Sequence, residues 1–528
     1  MIGVSAISEL PISALPAAFL TGQQSVTVRY ASQTFATRAT DSPAHTNVQG
    51  RIARGVRIQR SIQTGDGGAF GSLISTSFGE IELNNADGSL DGLINDFTAD
   101  GRPIRLYIGA TEITAEGRER IQPFADFALV YSSVAGAWSL EHDVLKLRVR
   151  DLSVRLRIRL QSLTYSGEGD ATGPAELTGR TMPTAFGRCL NVTAQLVDPT
   201  ILAYQVHSGR IDSMTAVYDQ GIEVPFDVDY GSYALLAAAT VPAGTYATSL
   251  TSGHFRLGSI PTGNVTADIR GHRTEPPDDN YTDEHGGVML VILRHYASFP
   301  DSLIDLDSFA ALDVAQPESM GLFLPAGDES TVEEVLAQIA LSAGAFVGQD
   351  RSGLYRAQRL EVPALAQHWS FDDRDIVAIE REEPDYSIPW KSWSVGFQIN
   401  FTVQDAGELA GGVSSSRRLF LESERRWAIA QDPAIALAHT TSSGAPPRSS
   451  FFLAKAVAEA EAERLLTLYT RGRALYRFVV KNALFSVEIG QTVRLTYPRW
   501  NLANGKHFVI VGVDDDADRV ESEILCFG

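Results

Sequence analysis

Cysteine is scarce: the 528-residue chain has two, Cys189 and Cys526. Two thiols so far apart exclude a disulfide-stapled scaffold and a local metal knuckle. Basic residues are also in deficit, with 44 Lys and Arg against 64 Asp and Glu, a formal net charge of −20. That balance argues against a strongly basic nucleic-acid binder, which needs an excess of Lys and Arg to neutralise phosphates. Long apolar runs are missing. Stretches such as Val288–Leu293 reach about six residues, against the roughly 20 needed to span a bilayer. The N-terminus lacks a basic start, and Glu9, Pro11 and Pro16 break its apolar stretch, so no secretory signal is expected. On this reading the chain is made in a cytoplasm and stays soluble. Its four Asn-x-Ser/Thr triplets, such as Asn191-Val-Thr193, then carry no glycosylation meaning. Repeats of fixed period and low-complexity linkers are absent too, which suggests interwoven domains.

What is present is an ordinary globular mixture, 44% apolar and 20% charged, with enough apolar surface to exclude wholesale disorder. At about 150 residues per domain the length suggests three or four domains. Period-2 alternation dominates the first third. Leu145, Leu147 and Val149 form one apolar set, and Leu152, Val154, Leu156, Ile158 and Leu160 a second, out of phase by one at Asp151. The pattern predicts two strands or one bulged strand. The opposite face carries Arg148, Arg150, Arg155, Arg157 and Arg159. Such a row is either solvated or pressed on an acidic partner.

Residues 79–85 and 102–109 also read as strands. The Asp-Gly pairs beginning at Asp87, Asp91 and Asp100 between them supply turn chemistry. Residues 161–300 are rich in Gly, Thr and Ser, with short strand-like runs such as 213–218, and helical period returns at 287–296. Ser330 and Glu333 then form a capping-box pattern before an apolar face of Val332, Val335, Leu336 and Ile339, with Gly344 at the helix end. A hairpin over 345–348 and 354–357 follows. Near the C-terminus, Ser450 precedes a helix whose apolar face (Ala454, Val457, Ala458, Leu465, Leu468, Tyr469) is interrupted only by Glu461. Strands at 474–481, 491–497, 507–512 and 521–527 complete the chain, and a small barrel is a plausible way to remove their edges.

Motifs of chemistry are few. HExxH, CxxC, GxSxG and a Walker loop do not occur. Asn504–His507 lacks the earlier glycine and the hydroxyl residue of a phosphate loop. In Gly167–Gly173, Glu168 and Asp170 would set negative charge beside a pyrophosphate. Asn85–Gly88 and the alternating Asp514, Asp516 and Asp518 partly resemble calcium loops but lack the terminal bidentate Glu, and they read as turns. The strongest catalytic candidate is His272 with Asp278, Asp279, Asp283, Glu284 and His285. Carboxylate pairs cleave glycosides when burial raises the pKa of one of them. These acids surround Pro276-Pro277 in a polar stretch where each can be hydrated, so a loop is the simpler reading. Trp390 and Trp393 could stack on sugars, but alternation puts Trp393, Val395 and Phe397 on one face of a sheet.

Several phrases resemble a family of bacteriophage proteins, the tail-tip or baseplate hubs of long-tailed, especially non-contractile, phages. They are Phe78–Gly88, Gly101–Gly109, Leu177–Gly187 with Asn191 and 197–199, Thr331–Arg359, Gln398–Gln404, Gly490–Arg499, 504–506 and the terminal Leu525–Gly528, which keeps the family's aromatic-Gly ending. The resemblance implies a β-rich α+β multidomain chain with two small tail-tube-like β-barrels, carried by residues 25–160 and 370–528, and further α+β domains decorating them, assembled as a C3 trimer. The corresponding domains are 1–165 (hub domain with a tube-like barrel), 166–300 (Gly/Thr/Ser-rich β insertion), 301–369 (helix and hairpin) and 370–528 (second barrel-like domain with one long helix). The implied role is a structural virion protein at the distal end of the tail, made in the host cytoplasm. Its implied partners are itself, distal tail and tail-tube proteins, tail-fibre or central-spike proteins and the end of the tape-measure protein. DNA is met only in transit. No catalytic, cofactor or metal residue is assigned. The alternatives are a tail-associated glycan or peptidoglycan hydrolase using Asp278–His285, or a receptor- or carbohydrate-binding module in 161–300.

Overall fold

The computed structural model describes residues 5–14, 25–64, 69–113, 119–382, 388–469, 473–481 and 483–528. Strands dominate, and most of them lie in two sheets of ten strands each. The first sheet draws on residues 5–14, 25–54, 80–84, 97–109 and 128–150. The second draws on 57–78, 345–382 and 475–527.

One ribbon joins the two sheets. Strands Ile52–Arg54 and Glu80–Asn84 pair in the first sheet. The same two arms continue as Arg57–Thr64 and Phe70–Phe78, which pair with each other in the second. At the bend the Gly79 N–H donates to the Arg57 carbonyl at 2.7 Å, so the arms stay paired while changing sheets. Beyond it, Arg57–Thr64 lies along Lys506–Asp516, and Phe70–Phe78 touches Ala345–Gln349, where a Cβ on Gly348 would come within 2.7 Å of the Ile74 Cβ. Strands Arg57–Thr64 and Phe70–Phe78 therefore complete the sheet of the C-terminal region rather than that of their sequence neighbours.

Across the second sheet run Trp369–Phe371, Thr492–Leu495, Lys506–Asp516, Glu521–Phe527, Leu475–Val480 and Ile376–Glu382. The first and last of these are joined by a turn in which Asp372 N–H donates to Asp375 at 3.1 Å. The sheet rolls into a half-barrel around Phe371, Phe478, Val493, Phe508, Ile510 and Ile524, all buried. Helix Lys455–Leu468 closes one side together with the ribbon of Ser392–Phe397 and Arg426–Gln431. Glu461, the one acid on the buried face of this helix, is held by Arg359 and Arg464, each at 2.7 Å. Burial alone would raise its pKa, but the two guanidiniums win and hold it below the ordinary carboxylate range.

A helical layer of His285–Val291, Leu306–Ala315 and Val332–Ser342 backs the hairpin of Ala345–Gln349 and Tyr355–Arg359. The capping box sits one residue later than the Ser330/Glu333 pattern suggests. Thr331 accepts the Glu334 N–H at 3.3 Å, and Glu334 accepts the Thr331 N–H at 2.8 Å. Both spacings fit the motif. Burial of Val332, Val335, Leu336 and Ile339 fixes the helix phase and frees Glu333 to meet Arg157 at 3.2 Å.

The expected strand over Leu152–Leu160 does not form. Val144–Arg150 is a strand, but Leu152–Leu156 is a 3-10 helix. Leu152, Leu156 and Leu160 are buried while Val154 and Ile158 are exposed. A run with every second residue apolar also contains a spacing of four, and the helical layer captured that subset. The three Asp-Gly pairs also divide. Gly88 (φ +66°) and Gly101 (φ +71°) make turns, whereas Gly92 lies inside the short helix Asp91–Asp96.

The remaining unit is a small sandwich. One sheet holds Thr184–Thr193, Ile211–Asp219 and Val265–His272, and the other holds Ala203–Gln205, Tyr246–Ser249 and His254–Leu257. Cys189, Val192, Val206, Val217, Phe255 and Ile269 fill the space between them. Thr184–Thr193 also pairs with Gly321–Leu324, so the unit reaches past residue 300.

Candidate functional site

The structure does not gather the catalytic candidates into one site. Asp279 lies exposed between Arg210 (2.7 Å) and Arg273 (2.9 Å). The hydrogen bond from Arg273 leads in holding its carboxyl below the ordinary range. It is thus locked ionised, the opposite of what a general acid requires. Asp283 accepts from the Tyr281 hydroxyl at 3.3 Å, and Asp278 and Glu284 face solvent. His285 is buried elsewhere, its Nε2 3.0 Å from Ser342 Oγ and its ring against Phe452. Burial pushes its pKa down to about 3. His272 shares Nδ1 with the Tyr296 hydroxyl at 3.0 Å, and burial, then His295, lowers it to about 4. Both imidazoles are neutral at physiological pH.

The other candidates resolve into packing. Trp390 and Trp393 are buried in a T-shaped pair 5.1 Å apart, with Trp393 stacked on Tyr469 at 5.2 Å, and neither presents a face for a sugar. Gly167–Gly173 is a loop around a 3-10 turn, and Asn504–His507 leads into a strand. Both cysteines are buried free thiols whose pKa burial raises. Asp514–Asp516 extends the last-but-one strand instead of turning. Asp514 pairs with Arg57 at 2.6 Å, and Asp518 accepts the Gly55 N–H at 2.7 Å. Among the described residues no group of three or more His, Cys, Asp or Glu is placed to hold a metal ion.

Four of the five arginines of the row find acids within the chain, and Arg155 reaches the Gly101 carbonyl at 3.5 Å. Arg148 meets Glu80 (3.2 Å), Arg150 meets Asp100 (3.6 Å), Arg157 meets Glu333, and Arg159 meets Glu329 (2.8 Å). These guanidiniums are solvent-exposed, so the pairs add little stability.

Sequence reasoning missed the junction of the two sheets. Arg60, fully buried on the ribbon, donates to Glu488 at 2.7 Å. Glu488 also accepts the backbone N–H of Arg351 and of Ile489, each at 3.0 Å. The Arg351 carbonyl accepts the Ser132 N–H of the first sheet at 3.0 Å, and Gln349 bridges Ser132 O (2.7 Å) and Leu152 N–H (2.8 Å). Five segments distant in sequence thus meet around one ion pair. No local motif marks it, because its members lie up to several hundred positions apart and only folding brings them together.

Beside the pair, Asp515 accepts from Phe485 N–H at 3.0 Å and Ser522 Oγ at 2.5 Å. Burial still raises its pKa from 3.8 to about 6. The folded chain therefore holds this proton more tightly than the unfolded chain. The resulting stability is complete below 3.8 and is lost as pH rises through about 6, a swing on the order of 3 kcal/mol. Asp515→Asn is expected to flatten the fall in thermal midpoint between pH 4 and pH 7. An unchanged slope in calorimetry would show that Asp515 is not the titrating group.

No protein-family model matches the sequence, and no curated protein does. Solved structures match at low identity. The tail protein from Neisseria meningitidis MC58 aligns with 100% of this chain and 97% of its own at 10% identity, TM-score 0.36. The 43 kDa tail protein of prophage MuSo2 from Shewanella oneidensis aligns over 99% and 98% at 9% identity, TM-score 0.35. A chain from the virion of a native gene transfer agent particle aligns over 66% and 84% at 14% identity, TM-score 0.39. The first two are described as tail proteins, the second of them from a prophage.

Proposed function

We propose that the chain is a structural virion protein of a phage tail, acting as a homotrimeric hub that closes the distal end of the tube and links it to tip, fibre or spike proteins. The observation that carries this reading is the ribbon of residues 52–64 and 69–84, whose arms pair in both large sheets and join them. The phrases that resemble the hub family fall largely on these sheets. They include Phe78–Gly88 at the bend and Gly490–Arg499 with Leu525–Gly528 in the half-barrel. In a C3 ring each copy presents the same pair of surfaces to its neighbours, and growth stops at closure.

The charge fits a bore that conducts DNA. Glu382, Arg477 and Glu523 form a ladder across adjacent strands of the half-barrel, and Asp514 with Arg57 extends it. A net −20 leaves acid in excess, and an acidic lining repels phosphate and keeps a passing duplex from adhering. The hydrolase alternative has no comparable support, since Asp279 is pinned between two arginines.

Mass photometry of the purified chain, alone and with its tail-tube partner, tests the reading, together with labelled electron micrographs of virions. A trimer, or a monomer that forms threefold rings on the partner, with label at the tail end, is the expected result. A chain that stays monomeric in both conditions, or label absent from the tail, would overturn it.

A further inference from the structure

A groove of about 590 Å³ lies between strand Thr184–Thr193, which supplies Arg188, and a segment made of helix Ser415–Leu421 with Arg417, the turn after it with Arg425, and the start of strand Arg426–Gln431 with Arg426. Four guanidiniums around one groove are unexpected in a chain with net charge −20. The groove's own carboxylate, Asp268, is already satisfied. It accepts the Asn191 N–H at 2.7 Å and the Tyr218 hydroxyl at 2.9 Å.

The four arginines divide by what they have left to give. Arg426 is committed to the carbonyls of Gln398 (3.0 Å), Leu419 (3.3 Å) and Phe420 (2.6 Å). Arg417 lies over the Tyr218 ring at 4.0 Å and the Phe420 ring at 4.9 Å, with Arg426 over the same Phe420 ring at 4.2 Å. Its one hydrogen bond is long, 3.4 Å to Asn191 Oδ1, and its Nε is buried without a partner. Arg425 binds the neighbouring Glu424 through Nε at 3.1 Å and through Nη2, but its Nη1 is buried and unpartnered. Arg188 is exposed, and while its backbone N–H donates to the Met320 carbonyl, its guanidinium has no hydrogen bond or ion pair among the described residues. The residue opposite it on the adjacent strand is Arg270, not an acid. Burial, then the charge of Arg417, lowers the pKa of Arg426, a sign that the cations strain against one another.

Among the described residues Arg188, Arg417 and Arg426 have no carboxylate partner, and Arg425 is paired with Glu424. Asp268 is the one carboxylate lining the groove, so positive charge and unspent donors remain in excess. A carboxylate would bring one charge and two oxygens to three available guanidiniums. A phosphoryl group brings close to two charges and three strong acceptors, and Ser416 and Ser423 add hydroxyls to the groove wall. We propose that this groove binds a phosphoryl group, with Arg188, Arg417 and Arg425 donating to its oxygens. The group arrives either as free phosphate or on a phosphorylated sugar. The assignment is independent of the tail reading.

Titration of the full chain with inorganic phosphate and, separately, with glucose 1-phosphate, followed by calorimetry and phosphorus NMR, tests it. Saturable binding of at least one probe is expected. Arg188→Glu should weaken it about tenfold or more, because a donor becomes a repulsive carboxylate. Arg425→Gln should weaken it severalfold while leaving the thermal midpoint unchanged, which separates lost binding from lost folding. Tighter binding of the sugar phosphate identifies a carried group, and tighter binding of inorganic phosphate a free one. No saturation by either probe up to about 10 mM, or binding that both variants leave intact, would overturn the proposal.

Discussion

Glu488→Ala is expected to destabilise the protein by about 3–5 kcal/mol, the cost of leaving a buried charge without its partner. Arg60 is fully enclosed, and Glu488 is the carboxylate bonded to it. The same substitution strips the acceptor from the Arg351 and Ile489 N–H groups. Because these groups belong to the ribbon, the hairpin turn and the C-terminal loop, the loss should appear as earlier separation of the two sheets. Hydrogen exchange should therefore rise first in Arg57–Thr64 and Ala345–Gln349. The double replacement Arg60→Met with Glu488→Leu is expected to recover the part of the loss that comes from the unpaired guanidinium, while the Arg351 and Ile489 N–H groups stay without their acceptor. Equal unfolding midpoints for Glu488→Ala and the unmodified chain would show that the pair does not hold the junction.

Trp393→Ala is expected to cost about 3–5 kcal/mol through the cavity it leaves. Trp393 fills the space between the ribbon Ser392–Phe397 and the helix Lys455–Leu468, touching Trp390 and Tyr469, with the Arg448 guanidinium 5.7 Å from its ring. Its indole N–H is buried without an acceptor. Trp393→Phe, which removes that orphaned donor and keeps most of the aromatic contact, should therefore cost far less. Chemical denaturation of both variants measures the difference. Equal losses would mean that the indole edge, not ring volume, carries the contact.

Legibility from sequence followed the range of the interactions. Helix Val332–Ser342 and its hairpin could be read because the cap, the apolar face and Gly344 all lie within a few turns. Even there the cap was off by one, since adjacent Ser-Thr and Glu-Glu pairs offer two equivalent boxes. Leu152–Leu160 misled because its alternation also contains the spacing of four that packing selected. The change of sheet at Gly79 leaves no trace, as a ribbon alternates identically on either side of a bend. The basic groove was hidden for another reason. Arg417-Arg418 and Arg425-Arg426 are visible pairs, but only folding brings Arg188 beside them.

The threading of residues 57–78 between two later segments has a consequence during synthesis. Arg57 must wait for Asp514, 457 positions downstream, before its strand acquires that neighbour. While the ribosome is still at work, the emerging hairpin has one flank bare, and long-range closure of this kind is slow. Fragments released by premature termination would lack the strands that cover it and should be cleared by proteases or collect in inclusion bodies. A host cell making this polypeptide in quantity would then need its chaperones most in the interval before the final fifty codons are read.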